Sequence, residues 1–314
     1  GMESVIKTVS ETNLDGTTEI VLASTESYAA NVGAIVGTVV KATIGGKVVS
    51  FSDGNVTLNA DFKARLVKHG EQTLTLTVEK NGQYTNVNKN LLIVTKEIST
   101  FDELKAAVKL DKNFVKYGYY RLKQNLTTTD YMSCGSNDKI DNKEAWRYDG
   151  QYGFRGTLDG NNLSMTAQWN GMGIFGVLGR GAVVKNITLV HSEYVATQMI
   201  LGYTMVGATL NNVTVSVSGN GTATIPTGGV GGLLTAITSY DSNLENVTIN
   251  AANTAIDTLF GNGKYYGYPV ANPEKNTFSN CTVKVKSLFA LSCDGGDATK
   301  AWLYTNEITG LTIS

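Results

Sequence analysis

The chain has 314 residues, enough for two domains at about 150 residues each. Charged residues make up only 17% and the net charge is −1, a balance that argues against a nucleic-acid partner, which needs a basic face to displace counterions. An apolar fraction of 42% suffices for a core and argues against disorder. No apolar run approaches the roughly 18 residues of a membrane-spanning helix. The longest, Val32 to Val40, is broken by Gly33, Gly37 and Thr38. Gly1 ahead of Met2 reads as a cloning remnant, so a secretion leader is expected to be missing from this sequence. Cys134, Cys281 and Cys293 form neither a disulfide framework nor a zinc spacing, although a Cys281–Cys293 pair is left open.

The first 97 residues read as short strands at Ser4–Ser10, Glu19–Ser24, Ala34–Ile44, Lys47–Phe51, Asn55–Ala60, Phe62–Val67, Gln72–Glu79 and Leu91–Thr95. Turn signals separate them: Asp15-Gly16, Gly45-Gly46, Asp53-Gly54, His69-Gly70 and Asn81-Gly82. Thr73 to Val78 alternates with period two, the mark of a half-buried antiparallel strand. Short strands at this density predict a β-sandwich. The pattern resembles the immunoglobulin-like modules of bacterial surface proteins, especially where His69-Gly70-Glu71 leads into the alternating strand. That resemblance implies a spacer which presents the next domain, with His69 as a turn residue.

Thr100-Phe101-Asp102-Glu103 is a capping box, and Phe101, Leu104, Val108 and Leu110 recur near helical spacing. A helix is predicted over Phe101 to Leu110, as a lid on the open end of the following β-region. The domains are therefore 1–97 and 98–314. Tyr117 to Leu126 is expected as the first strand after the helix.

The second half repeats. Asn-apolar-Thr-apolar appears at Asn186-Ile187-Thr188-Leu189, Asn212-Val213-Thr214-Val215, Asn246-Val247-Thr248-Ile249 and Asn280-Cys281-Thr282-Val283, then as Gly310-Leu311-Thr312-Ile313. Looser copies start at Asn162 and Asn125. A second anchor precedes the copies: Ile174-Phe175-Gly176, Ile200-Leu201-Gly202, Leu233-Leu234-Thr235, Leu259-Phe260-Gly261 and Leu288-Phe289-Ala290. Periods between 24 and 34 residues without a helical pattern predict an all-β solenoid. The architecture that fits is a right-handed parallel β-helix of about six or seven rungs. Asn at each copy suits a left-handed corner and an amide ladder. The Asn-x-Thr sequons are then structural, and Cys281 faces inward.

Gly173-Ile174-Phe175-Gly176, followed by Val184-Lys185-Asn186-Ile187-Thr188-Leu189, resembles the GLUG-type repeat of bacterial surface adhesins and IgA-peptidase-like proteins. Residues 100–314 resemble pectin-lyase-like β-helix domains of secreted bacterial proteins. The resemblance implies secretion or cell-surface display.

Hydrolases on such a fold pair carboxylates across a cleft, and lyases cluster acids around calcium. The repeats here carry Thr, Asn and Ser instead. Asp159 reads as a turn former, Glu245 sits beside Asn246, and His191 has no legible catalytic partner. Asp138 and Asp141, in Ser136 to Asn142, are weak candidates for calcium, and no other cofactor is expected. The last two repeats have long loops, rich in Tyr265, Tyr266, Tyr268, Trp302 and Tyr304. These five are the candidate platform for a polysaccharide or surface glycan, with a cell-surface protein as the other partner class. Trp146, Tyr148, Tyr152 and Trp169 form an earlier aromatic group. The expected function is adhesin-like binding without catalysis. The alternatives are a polysaccharide lyase or glycoside hydrolase, and a purely structural stalk.

Overall fold

The computed structural model describes residues 10–22, 25–59, 68–109, 118–136, 138–193, 199–218, 232–237, 239–262, 274–292 and 310–314. The protein is all-β apart from one α-helix among these residues. It divides into two compact units, residues 1–97 and 98–314.

Among the described residues the first unit holds eight strands: β1 (Ser10–Val21), β2 (Ser27–Ala29), β3 (Thr38–Ile44), β4 (Lys47–Val48), β5 (Ser50–Ser52), β6 (Asn55–Thr57), β7 (Gly70–Lys80) and β8 (Gln83–Val94). They form a five-stranded sheet in the order β1-β8-β7-β3-β4 and a three-stranded sheet in the order β2-β6-β5. The sheets share one core, in which Ile44, Leu74, Leu76 and Ile93 meet Val56 and Leu58. β1 pairs parallel to β8, whereas the other ladders of this unit are antiparallel. Asp15-Gly16 does not end a strand as expected. The ladder to β8 continues past it, and the extra residues bulge out with Gly16 at φ 76°. Residues 34–37, expected as strand, are an irregular loop ahead of β3. His69, expected as a turn residue, is buried just ahead of β7, with Nδ1 2.6 Å from the Thr95 hydroxyl. The predicted strand at Phe62–Val67 and most of Ser4–Ser10 lie outside the described residues.

Next come β9 (Lys96–Ile98) and α1 (Phe101–Val108). Thr100 accepts from the Glu103 amide at 3.1 Å, and Glu103 accepts in turn from the Ser99 amide at 3.1 Å. Leu104 and Val108 point into the core of the second unit, and Phe101 meets Trp169 edge to face at 6.0 Å. Helical geometry ends at Val108, and Leu110 lies outside the described residues.

The strands that follow are β10 (Tyr119–Leu122), β11 (Leu126–Met132), β12 (Lys139–Ile140), β13 (Lys143–Glu144), β14 (Thr157–Trp169), β15 (Gly176–Leu178), β16 (Val183–His191), β17 (Gly202–Met205) and β18 (Thr209–Val217). The last are β19 (Thr235–Ile237), β20 (Asn243–Thr258), β21 (Phe260–Asn262), β22 (Thr277–Ser279), β23 (Cys281–Ala290) and β24 (Leu311–Ile313). The region expected as one strand over Tyr117–Leu126 is split, with β10 stopping at Leu122 and β11 starting at Leu126.

The large sheet runs β24-β23-β20-β18-β16-β14-β10-β9, with β11 beside β14 and β22 beside β20. Its ladders from β10 to β24 are parallel. A second parallel sheet runs β15-β17-β19-β21. Alternation puts Met165, Leu189, Val215, Ile249 and Val283 in one inward register column. All five are buried in a continuous core that also takes Phe154 and Phe175 from outside the large sheet.

Asn186, Asn212, Asn246 and Asn280 each hold φ between 51° and 55°, and Gly310 holds 82°. Each residue turns the chain at the same point of its repeat, a left-handed corner that Asn and Gly reach with little strain. The Asn212 amide donates to Asn186 at 2.9 Å, and the Asn280 amide donates to Asn246 at 2.8 Å. The second anchor needs correction in its last two copies. Backbone bonds from Phe175 to Leu201, Leu201 to Leu234 and Leu234 to Leu259 put Leu259 in the middle position, not Phe260. Leu288 is instead in register with Ile256, and Ala290 with Thr258, which moves the fifth copy two residues on. Leu259 and Phe260 are adjacent and both apolar, and hydrogen-bond register alone selects between them.

Candidate functional site

The large sheet sorts its outward side chains into columns, because every repeat meets its neighbour in register. Ser164, Thr188, Thr214, Thr248, Thr282 and Thr312 form one column. Thr127, Thr166, Val190, Ser216, Asn250 and Lys284 form the next. Adjacent members stand about 4.8 Å apart. The Thr column therefore presents hydroxyl and methyl groups at each strand. β-Branched side chains also favour extended backbone, so the column stabilises the sheet it decorates.

A third column lies on the other side of the Asn corner: Arg121, Asp159, Lys185, Asn211, Glu245 and Ser279. Asp159 accepts from the Tyr119 hydroxyl at 2.6 Å and from the Asn161 amide at 2.9 Å. It sits in strand β14, and its short local bond also shapes the turn after it. The Lys185 ammonium lies 5.4 Å from the centre of the Tyr119 ring. Glu245 is three strands from Asp159, about 14 Å away, wider than the roughly 5–10 Å that paired glycosidase carboxyls need.

Two further carboxylates, Asp149 and Asp241, meet around Arg180. Its Nη2 meets Asp149 Oδ1 at 2.7 Å and its Nη1 meets Asp241 Oδ2 at 2.6 Å. Its Nε donates to the Asp149 carbonyl at 2.7 Å. Tyr240 donates to the same Asp149 carboxylate at 2.7 Å. Burial, together with that bond to Asp149, raises the Tyr240 phenol above its ordinary range. Burial lowers the Arg180 pKa while its bonds to Asp149 and Asp241 raise it, and the balance is upward. The stem of Arg180 passes between two turns that only glycine fits. A Cβ on Gly207 would lie 2.7 Å from Arg180 Cγ, and one on Gly150 would lie 2.9 Å from it. The guanidinium stands between the two carboxylates, where a glycosidase would hold its substrate. The group is a clamp that ties Asp149, Arg180 and Asp241, with the Gly207 turn between the last two. Sequence reasoning missed it, although Gly179-Arg180-Gly181 was a visible signal.

Asp141 and Asn142 are the central residues of the β12–β13 hairpin, with φ of 50° and 65°. Two successive left-handed residues make a type I′ turn, which accounts for this acidic stretch locally. Asp138 is exposed, and its amide donates to Ser136 Oγ at 3.1 Å. Among the described residues no three His, Cys, Asp or Glu side chains converge.

In the earlier aromatic group the two tryptophans are buried and the two tyrosines half-buried. Trp169 is fully buried and donates to the Val190 carbonyl at 3.1 Å. Trp146 is buried in a small cluster with Ile140, Val177 and Ile237, and the Arg147 guanidinium lies 4.5 Å from its ring centre. Tyr148 meets Tyr152 edge to face at 4.8 Å, its hydroxyl donates to the Ile140 carbonyl, and Lys143 lies over its ring. Tyr265, Tyr266, Tyr268, Trp302 and Tyr304 lie outside the described residues. His191 is fully buried, in register with Ala167 and Val217. Cys281 is buried with a free thiol, and Cys293, the other half of the pair left open, lies outside the described residues.

No family model, curated protein or solved structure matches the chain.

Proposed function

We propose that the chain is a secreted or cell-surface binding protein that does not cleave its ligand. In this reading an immunoglobulin-like sandwich carries a right-handed parallel β-helix, and the helix presents its outward face to a neutral glycan. The parallel β1–β8 pairing beside a second, smaller sheet supports the sandwich. The parallel register over repeats with Asn corners supports the helix. The observation that carries the function is the column Ser164, Thr188, Thr214, Thr248, Thr282 and Thr312. Hydroxyls at regular spacing exchange hydrogen bonds with sugar hydroxyls, and the methyl groups pack on the apolar sugar face. An uncharged array suits a neutral polymer better than an acidic one. The loop aromatics Tyr265, Tyr266, Tyr268, Trp302 and Tyr304 remain the proposed stacking platform.

A glycan array compared between the native protein and a Thr188→Val/Thr214→Val/Thr248→Val variant tests this. Valine keeps the shape and strand preference and removes only the hydroxyls. Binding to neutral glycans that drops several-fold in the variant supports the proposal. Binding unchanged by the variant removes the column as the site, and no binding at all leaves the stalk reading.

A further inference from the structure

The first unit carries a groove of about 260 Å³ that belongs to neither the columns nor the clamp. Leu14 of β1, Val78 of β7 and Val87 of β8 line one side, and Ile35 and Val36 of the loop before β3 line the other. The loop is shaped to stand there. Asn31, Gly33 and Gly37 hold φ of 52°, 73° and 123°. At Gly37 a Cβ would lie 2.6 Å from the Glu79 carbonyl oxygen and 2.8 Å from Val78 Cγ1, so the loop is pressed onto the end of β7. Val36 is left 69% exposed beside this apolar lining.

Among the described residues Lys80 is the one charged residue that lines the groove, and its side chain is exposed. The neighbouring Glu79 carboxylate accepts from the Gly82 amide at 2.8 Å and so is turned toward the hairpin tip. The walls are mostly apolar, with Thr12 and Thr85 also lining them, and one cation stands at the rim, which complements an apolar chain that ends in a carboxylate. The volume lies below the usual range of drug-sized pockets, which restricts the chain to a short one. We infer that this groove binds a medium-chain monocarboxylate, with the tail between Val36 and Val78 and the head at Lys80.

Titration calorimetry of the whole chain with octanoate and with octanol tests the assignment. Octanoate should bind saturably with one-to-one stoichiometry. Octanol should bind about two- to five-fold more weakly, the usual scale of an exposed ion pair. Lys80→Gln should abolish that preference, as should high salt, and should leave octanol binding unchanged. Val36→Asp, at a solvent-exposed site, should weaken both ligands. Absence of saturable octanoate binding would overturn the assignment. So would equal affinity for the two ligands, or a carboxylate preference that survives Lys80→Gln.

Discussion

The side-chain amide of Asn280 donates to Asn246 at 2.8 Å, across 34 residues of sequence. Both residues are left-handed, so one side chain type satisfies a corner and a ladder together. The two contributions separate by mutation. Asn246→Gly keeps the corner and loses the ladder bond, a cost of about 1 kcal/mol. Asn246→Ala adds the left-handed penalty of about 1–2 kcal/mol. Urea unfolding of the pair should therefore show alanine as the worse substitution by that margin. Equal midpoints would mean that the corner conformation carries no strain.

Arg180 joins Asp149 and Asp241 with bonds of 2.6 to 2.7 Å, while all three side chains stay roughly a third exposed. Charge-assisted bonds at this exposure are worth the lower end of their range, so Arg180→Met should cost about 1–2 kcal/mol. Arg180→Lys should recover little of it, because one ammonium lacks the planar fork that spans two carboxylates. Thermal melts by circular dichroism check both. A lysine variant as stable as the native chain would count against the clamp.

Burial pushes the Cys134 thiol up to about 12, against a smaller opposing effect of Lys105, and burial also raises Cys281. The folded state thus holds both thiols neutral. The Cys134 contribution to stability is complete below the ordinary thiol pKa near 9 and is lost as pH rises through about 12, and the Cys281 contribution is lost in the same direction. In a Cys293→Ser background, a thiol reagent at pH 8 should label neither residue until the chain is unfolded. Rapid labelling of the native protein would contradict the packing of these two side chains.

Helix α1 closes its end of the core with Leu104, which is fully buried. Leu104→Ala should cost about 2–5 kcal/mol, and Thr100→Ala about 1 kcal/mol through the lost cap. Denaturant titration distinguishes the two. A Leu104→Ala cost no larger than the cap's would show that the helix does not seal the core.

The sequence revealed what repeats in register. Thr188, Thr214, Thr248 and Thr282 are legible because the intervening loops vary in length while the strand does not. The capping box was equally plain, since its bonds are local. Features fixed by contacts between distant residues were hidden. Leu259 rather than Phe260 is the anchor because of a hydrogen bond from Leu234, and both side chains are apolar enough to serve. The Arg180 clamp joins residues 31 and 61 positions away, and no spacing rule connects them. Asp15-Gly16 carries a strong turn signal, yet the parallel partner β8 holds the chain extended on either side of it.

The central claim is that the protein binds a neutral glycan without breaking it. The direct measurement is calorimetric titration with the best neutral polysaccharide from the array, with reducing ends assayed in the same samples over a day. Saturable heat, reduced by Thr188→Val/Thr214→Val/Thr248→Val, and a constant number of reducing ends are the predicted result. Reducing ends that accumulate with time in proportion to protein concentration would contradict it.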